Sequence, residues 1–493
     1  MMMKTRLHHI CLFMAALAFS PAAAEVMSLS LPQVIARARK NSVSAEVALN
    51  QLKSAYWGYR SYRAELLPEV SFNATLPAYR KQYSSYMDNT GGYSFVHNDF
   101  LQMKGELSVT QNIWLTGGKV AVNTSLDFYH QLGDAAYSRF MTIPVAITLS
   151  QPIFGVNTLK WDRKIEPVRY EEAKAQFLSD TEDVAKEAID YYFSLLMAQE
   201  NNHIAEKNLE SAAHLYEVAK VKREMGQISM NDLLQMELNL LNAKTELTDC
   251  RSNLKSNMFN LRSFLDYGET VEIEPEIPLD IPEVEISYAD AMEKALANNR
   301  FAKNMLRRQL EADYEVAKAK GAQREINLFA QLGYTGTGRN FTAGYQDLRS
   351  NQIVEVGFEI PILDWGRRKG KVKVAESNRR LVESQVRQEN MNFNQNIFIL
   401  VERYSNQLQQ LRTARRADEI AQKRYETNVE TFLIGKISTL DLNDSRVKKD
   451  EARREYVNEL YLFWNYYYQI RSLTLWDYSS GKGIDADFDM LVK

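Results

Sequence analysis

The sequence predicts an α+β membrane protein built as a tandem repeat, with very long coiled-coil helices and strands outside them. Three observations predict it: a helix-turn-helix signature that occurs twice at constant internal spacing, a heptad of apolar positions through the long helices, and period-two alternation ahead of each.

The second signature, Tyr425 to Asp444, reads YETNVETFLIGKISTLDLND. Gly435 stands where a helix C-terminus wants a residue tolerant of left-handed dihedrals, and Ser438 with Asp441 three residues on opens the next helix as an [ST]-x-x-[DE] box. The first, Tyr216 to Asp232, reads YEVAKVKREMGQISMND. Tyr216, Gly226, Ser229 and Asp232 map onto Tyr425, Gly435, Ser438 and Asp441 at an offset of 209 residues (425 − 216), so the chain is a duplicated unit with a reversal in each copy.

Residues 1–24 read as a secretory signal: Lys4 and Arg6, an apolar run from Ile10 to Phe19, then Ala22-Ala23-Ala24, with cleavage expected before Glu25. Cys11 lies inside it, which leaves Cys250 alone and no internal disulfide in the mature chain. Loss of Lys4 and Arg6 takes the formal charge from −3 to −5, which gives no electrostatic case for nucleic acid as a partner. No later run of 18 apolar residues follows, so the chain reads as periplasmic, extracellular or a β-barrel of the outer membrane.

In order, Leu29 to Leu66 has a helical pattern that ends at Pro68, and Ile286 to Asn299 echoes its start. Val70, Phe72, Ala74 and Leu76 then alternate with polar residues, as do Ile326, Leu328, Ala330 and Leu332, at an offset of 256 (326 − 70). Because Pro152 and Pro361 match at 209, the first copy carries 47 additional residues (256 − 209). Leu107 to Leu115 and Val120 to Phe128 alternate around the turn Thr116-Gly117-Gly118-Lys119, Val145 to Ile153 gives a fourth strand, and Gln352 to Leu363 a sixth. Lys81 to Phe100 reads as connecting chain rich in Tyr, Asn, Gly and Ser.

From Asn157 to Met225 one helix of roughly 100 Å is expected at 1.5 Å rise. Phe177, Val184, Tyr191, Ala198, Ala205, Ala212 and Ala219 repeat every seven; Val386, Phe393, Leu400, Gln407, Ala414, Ala421 and Asn428 do so in the copy, Gly366 to Ile434. Met230 to Leu265 returns with Leu233, Leu240, Leu247, Leu254 and Leu261 as its seam and Cys250 in its second row. The expected organisation is a signal at 1–24, a first repeat at 25–268 with an inserted hairpin at 104–130, an acidic Pro-containing linker at 269–286, a second repeat at 287–476 and a polar tail at 477–493.

Six strands are too few to close a barrel in lipid, where the smallest have about eight and open edges are not tolerated. Strands that span a membrane here must share one barrel with sister chains. At this point the chain resembles the TolC family of outer-membrane efflux and secretion channels, through QPIFGVNTLKWDRK, LDWGRRKGKV and the two tips REMGQISMNDLLQME and FLIGKISTLDLND.

The resemblance implies a homotrimer with one β-barrel in the outer membrane of a Gram-negative bacterium, of twelve strands in the family and of eighteen if the inserted hairpin joins. An α-helical barrel would cross the periplasm to a closed end, and the duct would conduct passively for a tripartite efflux or type I secretion system. Its partners would be a periplasmic adaptor (membrane fusion) protein, an inner-membrane transporter and outer-membrane lipid. The alternative is a periplasmic coiled-coil adaptor or scaffold without a pore.

Asp444, Asp441 and Asp232 stand where the family narrows the aperture with acids, and three chains would give rings of negative charge. A carboxylate at the third position after a Ser cap also serves the helix N-terminus, which covers Asp232 and Asp441 but not Asp444. The Tyr and Arg that tether the tip in some members fall on Phe432 and Ile437 here, so the closed state is expected to rest on packing around Phe432 and Leu433. Gly226, Ser229, Gly435 and Ser438 form the tips expected to dock adaptor or transporter. Trp57, Trp114, Trp161 and Trp365 suit an interfacial belt or ordinary packing, and Arg367, Arg368, Lys369 and Lys371 suit lipid headgroups or a solvated face. Nothing calls for a cofactor or metal: His203 and His214 lie eleven residues apart, and no catalytic spacing indicates an enzyme.

Overall fold

The computed structural model describes residues 25–87, 91–133, 136–323, 326–358, 363–434 and 436–493. The expected signal segment with Cys11 lies outside them, as does Gly435. In chain order the elements are β1 (Glu25–Leu29), α1 (Leu31–Asn41), α2 (Val43–Glu65), β2 (Glu69–Met87), β3 (Tyr93–Ile113), β4 (Gly118–Gln131), β5 (Tyr137–Ile153), α3 (Thr158–Glu224) and α4 (Met230–Phe264). Then follow β6 (Val271–Pro275), α5 (Tyr288–Asn298), α6 (Arg300–Gly321), β7 (Ile326–Gly338), β8 (Arg349–Phe358), α7 (Arg367–Leu433) and α8 (Thr439–Thr474). Both α3 and α7 are unbroken over 67 residues.

The continuous helix expected from Leu29 to Leu66 is a correction. Leu29 belongs to a strand, and Ser42, extended at φ −72° and ψ 149°, separates α1 from α2. Asn299, at φ −68° and ψ 152°, breaks the second copy in the same way between α5 and α6, at the repeat offset of 257 (299 − 42). The Asn299 amide donates to the Leu473 carbonyl at 2.8 Å, and the Ser42 hydroxyl accepts from the Ala45 N–H at 3.2 Å. These short side chains bond backbone at the bend, which offers the chain an alternative to continued helix.

Among the described residues the chain forms two compact units, one of 25–51, 175–299 and 393–491, the other of 52–174, 300–392 and 492–493. In the second, one six-stranded sheet runs β2-β3-β4-β5-β7-β8, antiparallel throughout. The Leu107 to Phe128 hairpin is therefore part of the same sheet as the other four strands. The connecting chain expected at Lys81 to Phe100 is instead largely strand, because Tyr79 to Met87 and Tyr93 to Leu101 pair as a two-stranded ribbon. Gly117 turns the β3–β4 hairpin at φ +76°, where a Cβ would also approach Asn157 to 3.1 Å.

In the first unit the heptad positions form the core. Val184, Ala198, Ala205 and Ala219 of α3 are buried, as are Phe393, Leu400, Gln407 and Ala414 of the α7 series. The linker is more ordered than an extended tether: β6 pairs in parallel with β1, and the buried Tyr192 hydroxyl donates to the carbonyls of Leu29, at 3.2 Å, and Glu276. In the second half Tyr404 donates to the Val284 carbonyl at 3.1 Å, and burial pushes its phenol up to about 12. Glu182, 1% exposed, sits between the guanidinium groups of Arg39 and Arg471. The polar tail folds back: Asp477 bonds Tyr467 and Arg471, and Trp476–Asp477 pairs with Lys482–Gly483.

Replacing Tyr192 by Phe removes the donor from two carbonyls next to the β1–β6 pair. The expected loss is about 1–3 kcal/mol of unfolding free energy, to be measured by chemical denaturation against the Tyr404→Phe variant.

Candidate functional site at the helix tips and the sheet

Each tip is made by local chemistry that the sequence specifies. At the end of α3 the Gly226 backbone turns left-handed at φ +73°, and the Gln227 N–H reaches back to the Lys222 carbonyl at 2.8 Å. This 6→1 bond satisfies a carbonyl the helix would otherwise leave open. After α7 the Lys436 N–H makes the equivalent bond to the Thr431 carbonyl at 3.0 Å, around Gly435, which is not among the described residues.

The starts of α4 and α8 are also alike. Ser229 accepts from the Asp232 N–H at 3.1 Å, and Asp232 accepts from the Ser229 N–H at 3.1 Å. Ser438 and Asp441 repeat the box at 3.1 and 3.3 Å. The Ser229 hydroxyl and N–H hold the Asp232 carboxyl below the usual carboxylate range. Ser438 does so for Asp441, with Arg424 adding to it. Asp441 is exposed and Asp232 partly so, and both serve as caps whose charge reaches solvent.

The two tips meet through an apolar cluster. Phe432 and Leu442 of the second hairpin are buried with Ala219 and Met236 of the first, ringed by Leu215, Tyr216, Ile228, Leu233, Tyr425, Val429 and Ile437. Phe432, expected at the aperture, is thus a core residue; the Lys222 ammonium lies 4.9 Å from its ring centroid and donates to its carbonyl at 3.3 Å. Asp444 is not without a partner: the Arg424 guanidinium donates to it at 2.8 Å, joining α7 to α8 with half of each side chain exposed. An ion pair therefore supplements the packing expected to hold this tip.

Further along the hairpins the contacts become polar and partly buried. Asn208 of α3 donates to Asp450 of α8 at 2.7 Å. Two adjacent arginines of α8 then fork: Arg453 reaches Glu200 of α3 at 2.9 Å and Asp418 of α7 at 3.3 Å, while Arg454 reaches Asn201 of α3 at 2.8 Å and Glu246 of α4 at 3.4 Å. One turn of α8 thus ties all four helices together. Sequence reasoning missed these residues, since a long helix carries many charges and only pairing across helices distinguishes them.

The sheet has two chemically distinct faces. Register places Val70 opposite Val109, Phe72 opposite Leu107, Val109 opposite Val122, Val122 opposite Ile147, Ile147 opposite Leu332 and Leu328 opposite Val356, all on one face. The other face carries Lys104 paired with Glu106 at 2.7 Å, Gln102 donating to Asp127 at 2.5 Å, and Ser108 donating to Asn123 at 2.6 Å. A soluble sheet would not leave such an apolar face open; lipid on one side and water on the other would explain the sorting.

Several aromatic residues expected near the strand ends make ordinary packing contacts. Arg163 lies 4.0 Å over the Trp114 ring and Tyr59 stacks on Tyr170, whereas Trp57 and Trp365 are exposed. Arg367, Arg368 and Lys371 line an open groove between α6 and α7 with Arg308, Lys318 and Arg379. Burial raises the Cys250 thiol, which keeps it protonated and inert.

Residues 34–265 match the family model described as outer membrane efflux protein. Over that stretch, a little under half of the chain, the sequence carries the pattern of the outer membrane efflux protein family. No curated protein matches this chain. Among solved structures it resembles the Campylobacter jejuni CmeC outer membrane channel at 16% identity and TM-score 0.66, covering 93% of this chain and 88% of that one. It also resembles VceC from Vibrio cholerae, at 14% identity and TM-score 0.63, covering 92% and 97%. The open state of the Neisseria gonorrhoeae MtrE outer membrane channel gives 13% identity and TM-score 0.59, with 93% and 90% covered. These likenesses fix the fold over nearly the full length.

Truncating Phe432 to Ala is expected to weaken the joined tips by about 3–5 kcal/mol, seen as faster amide exchange at 425–445. Asp444→Asn is expected to change it by less than about 1 kcal/mol. Because the Asp232 and Asp441 carboxyls are lowered, their capping is intact above the unfolded carboxyl value of about 3.9 and lost as pH falls through the lower folded values. Exchange protection at both tips should therefore hold from neutral pH down to about pH 4 and decline below it.

Proposed function

We propose that this efflux protein works as a homotrimeric exit duct, passively conducting substrates across the periplasm and outer membrane of a Gram-negative cell. The observation that carries the reading is the six-stranded sheet, apolar on one face and polar on the other, in a chain whose helices end in two capped tips. Lipid suits the first face and an aqueous lumen the second, while the tips suit a periplasmic adaptor and an inner-membrane transporter of a tripartite efflux or type I secretion system. The reading is non-enzymatic and needs no cofactor, because conduction requires only a wet path and a gate.

Asp441, Asp444 and Asp232 are the proposed aperture acids. In a trimer they make rings of carboxylate that favour cations and repel anions. Arg424 tempers this at Asp444, since the pair must part before that carboxylate is fully available. Phe432 serves the aperture indirectly, as the core that positions the acids, and Gly226, Ser229, Gly435 and Ser438 set the shape of the docking tips.

Purified protein in planar bilayers is expected to give discrete single-channel steps with cation preference. Asp441→Asn combined with Asp444→Asn should lower the ratio of potassium to chloride permeability at least several-fold. A protein that binds membranes yet never conducts would overturn the reading.

A further inference from the structure

Among the described residues the sheet has two free edges, on β2 and β8, each with one neighbouring strand. Their apolar side chains stand out unusually far: Phe72 is 70% and Val354 is 70% exposed, against 42% for Leu107 and 41% for Val122 on inner strands. From Val70 to Leu76 the free edge of β2 carries no charge, which is not how a soluble sheet guards an edge. Above that stretch the guard appears at once. Pro77, which has no N–H, falls in the bulge between Thr75 and Ala78, and Arg80 and Lys81 follow. The uncharged run, 70–76, spans seven residues against the 10 of β8.

Direction agrees. Antiparallel pairing throughout an even number of strands makes β8 run opposite to β2, so a second copy laid edge to edge continues the alternation without a fault. The faces also agree, because Val70 and Phe72 share the apolar face with Val354 and Val356.

We propose that the β2 edge below Pro77 pairs with the β8 edge of a second copy of this chain, and that three copies close one barrel of eighteen strands. The inference rests on the trimeric duct reading and adds the location of its seam and the size of its mouth. Above Pro77 the β2–β3 ribbon stays out of the seam and projects from each protomer. Barrel diameter grows roughly linearly with strand number, so the mouth is about 1.5-fold wider than that of a twelve-stranded member. Its lumen takes the polar face, with Lys104, Glu106, Ser108, Asn123 and Asp127, and admits hydrated solutes larger than a twelve-stranded exit passes.

The test uses full-length protein in membranes with Cys250→Ser as background. Single cysteines at Val70, Phe72 or Ala74 are combined with one at Val354 or Val356 and oxidised. At least one combination is expected to give a covalent trimer on a non-reducing gel, while Tyr83→Cys with either β8 cysteine gives none. Imaging of unmodified protein down the three-fold axis is expected to show eighteen strands, and neutral polymers should be excluded from the conducting pore only at about 1.5-fold larger radius than from a twelve-stranded channel. A conducting trimer with twelve strands and residues 104–130 outside its barrel would overturn this inference and leave the duct reading intact. A monomer without conductance would overturn both.

Discussion

The constraint on which the structure depends is that a strand edge must end its hydrogen bonds somewhere. Every second residue on the outer edge of β2 or β8 presents backbone groups that water can satisfy and hydrocarbon cannot. A chain that sorts its side chains into an apolar and a polar face leaves the apolar face to a non-aqueous neighbour, a protein core or lipid. On the exit-duct reading that neighbour is lipid, where open edges are not tolerated, and the need for sister chains then follows from the backbone before any particular contact is considered.

Along the helical hairpins the problem is different, since a long helix has ample hydrogen bonds and too little to hold it in register. An all-apolar seam slides easily. Asn208 with Asp450, and Gln407 with Glu459, place polar pairs in otherwise apolar seams where a one-turn slip would bury them unsatisfied. Arg453 and Arg454 extend the same logic to four helices, so the tips inherit their mutual position from a layer several turns away. The apolar cluster around Phe432 then closes the gap between them.

Much of this was legible in the chain itself. The duplicated tips, the two long helices and six strands could be read because cap chemistry is local and the periodicities of 3.5 and 2 are carried by many residues at once. The breaks at Ser42 and Asn299 were hidden, since a serine or asparagine within a helical pattern is common and only the carbonyl it finds in space makes it a bend. The β1–β6 pair was hidden for a related reason: five residues of acidic, proline-bounded chain carry too short a pattern to announce a strand. At the candidate site, Asp232 and Asp441 could be placed from spacing alone. The Arg424 partner of Asp444 could not, because it is 20 residues distant across a hairpin and one of many exposed cations.

The duplication leaves each chain with two tips that share a backbone and differ in what they display. One offers Gln227 and Ile228 beside Met225, the other Lys436 and Ile437 beside Ile434. On the docking reading, two tips held together by one core form a preassembled bivalent ligand, for which weak recognition at each end multiplies into strong avidity. A ring of identical partner subunits that engages every tip must therefore either tolerate two chemistries in alternation or bind at half the available valency.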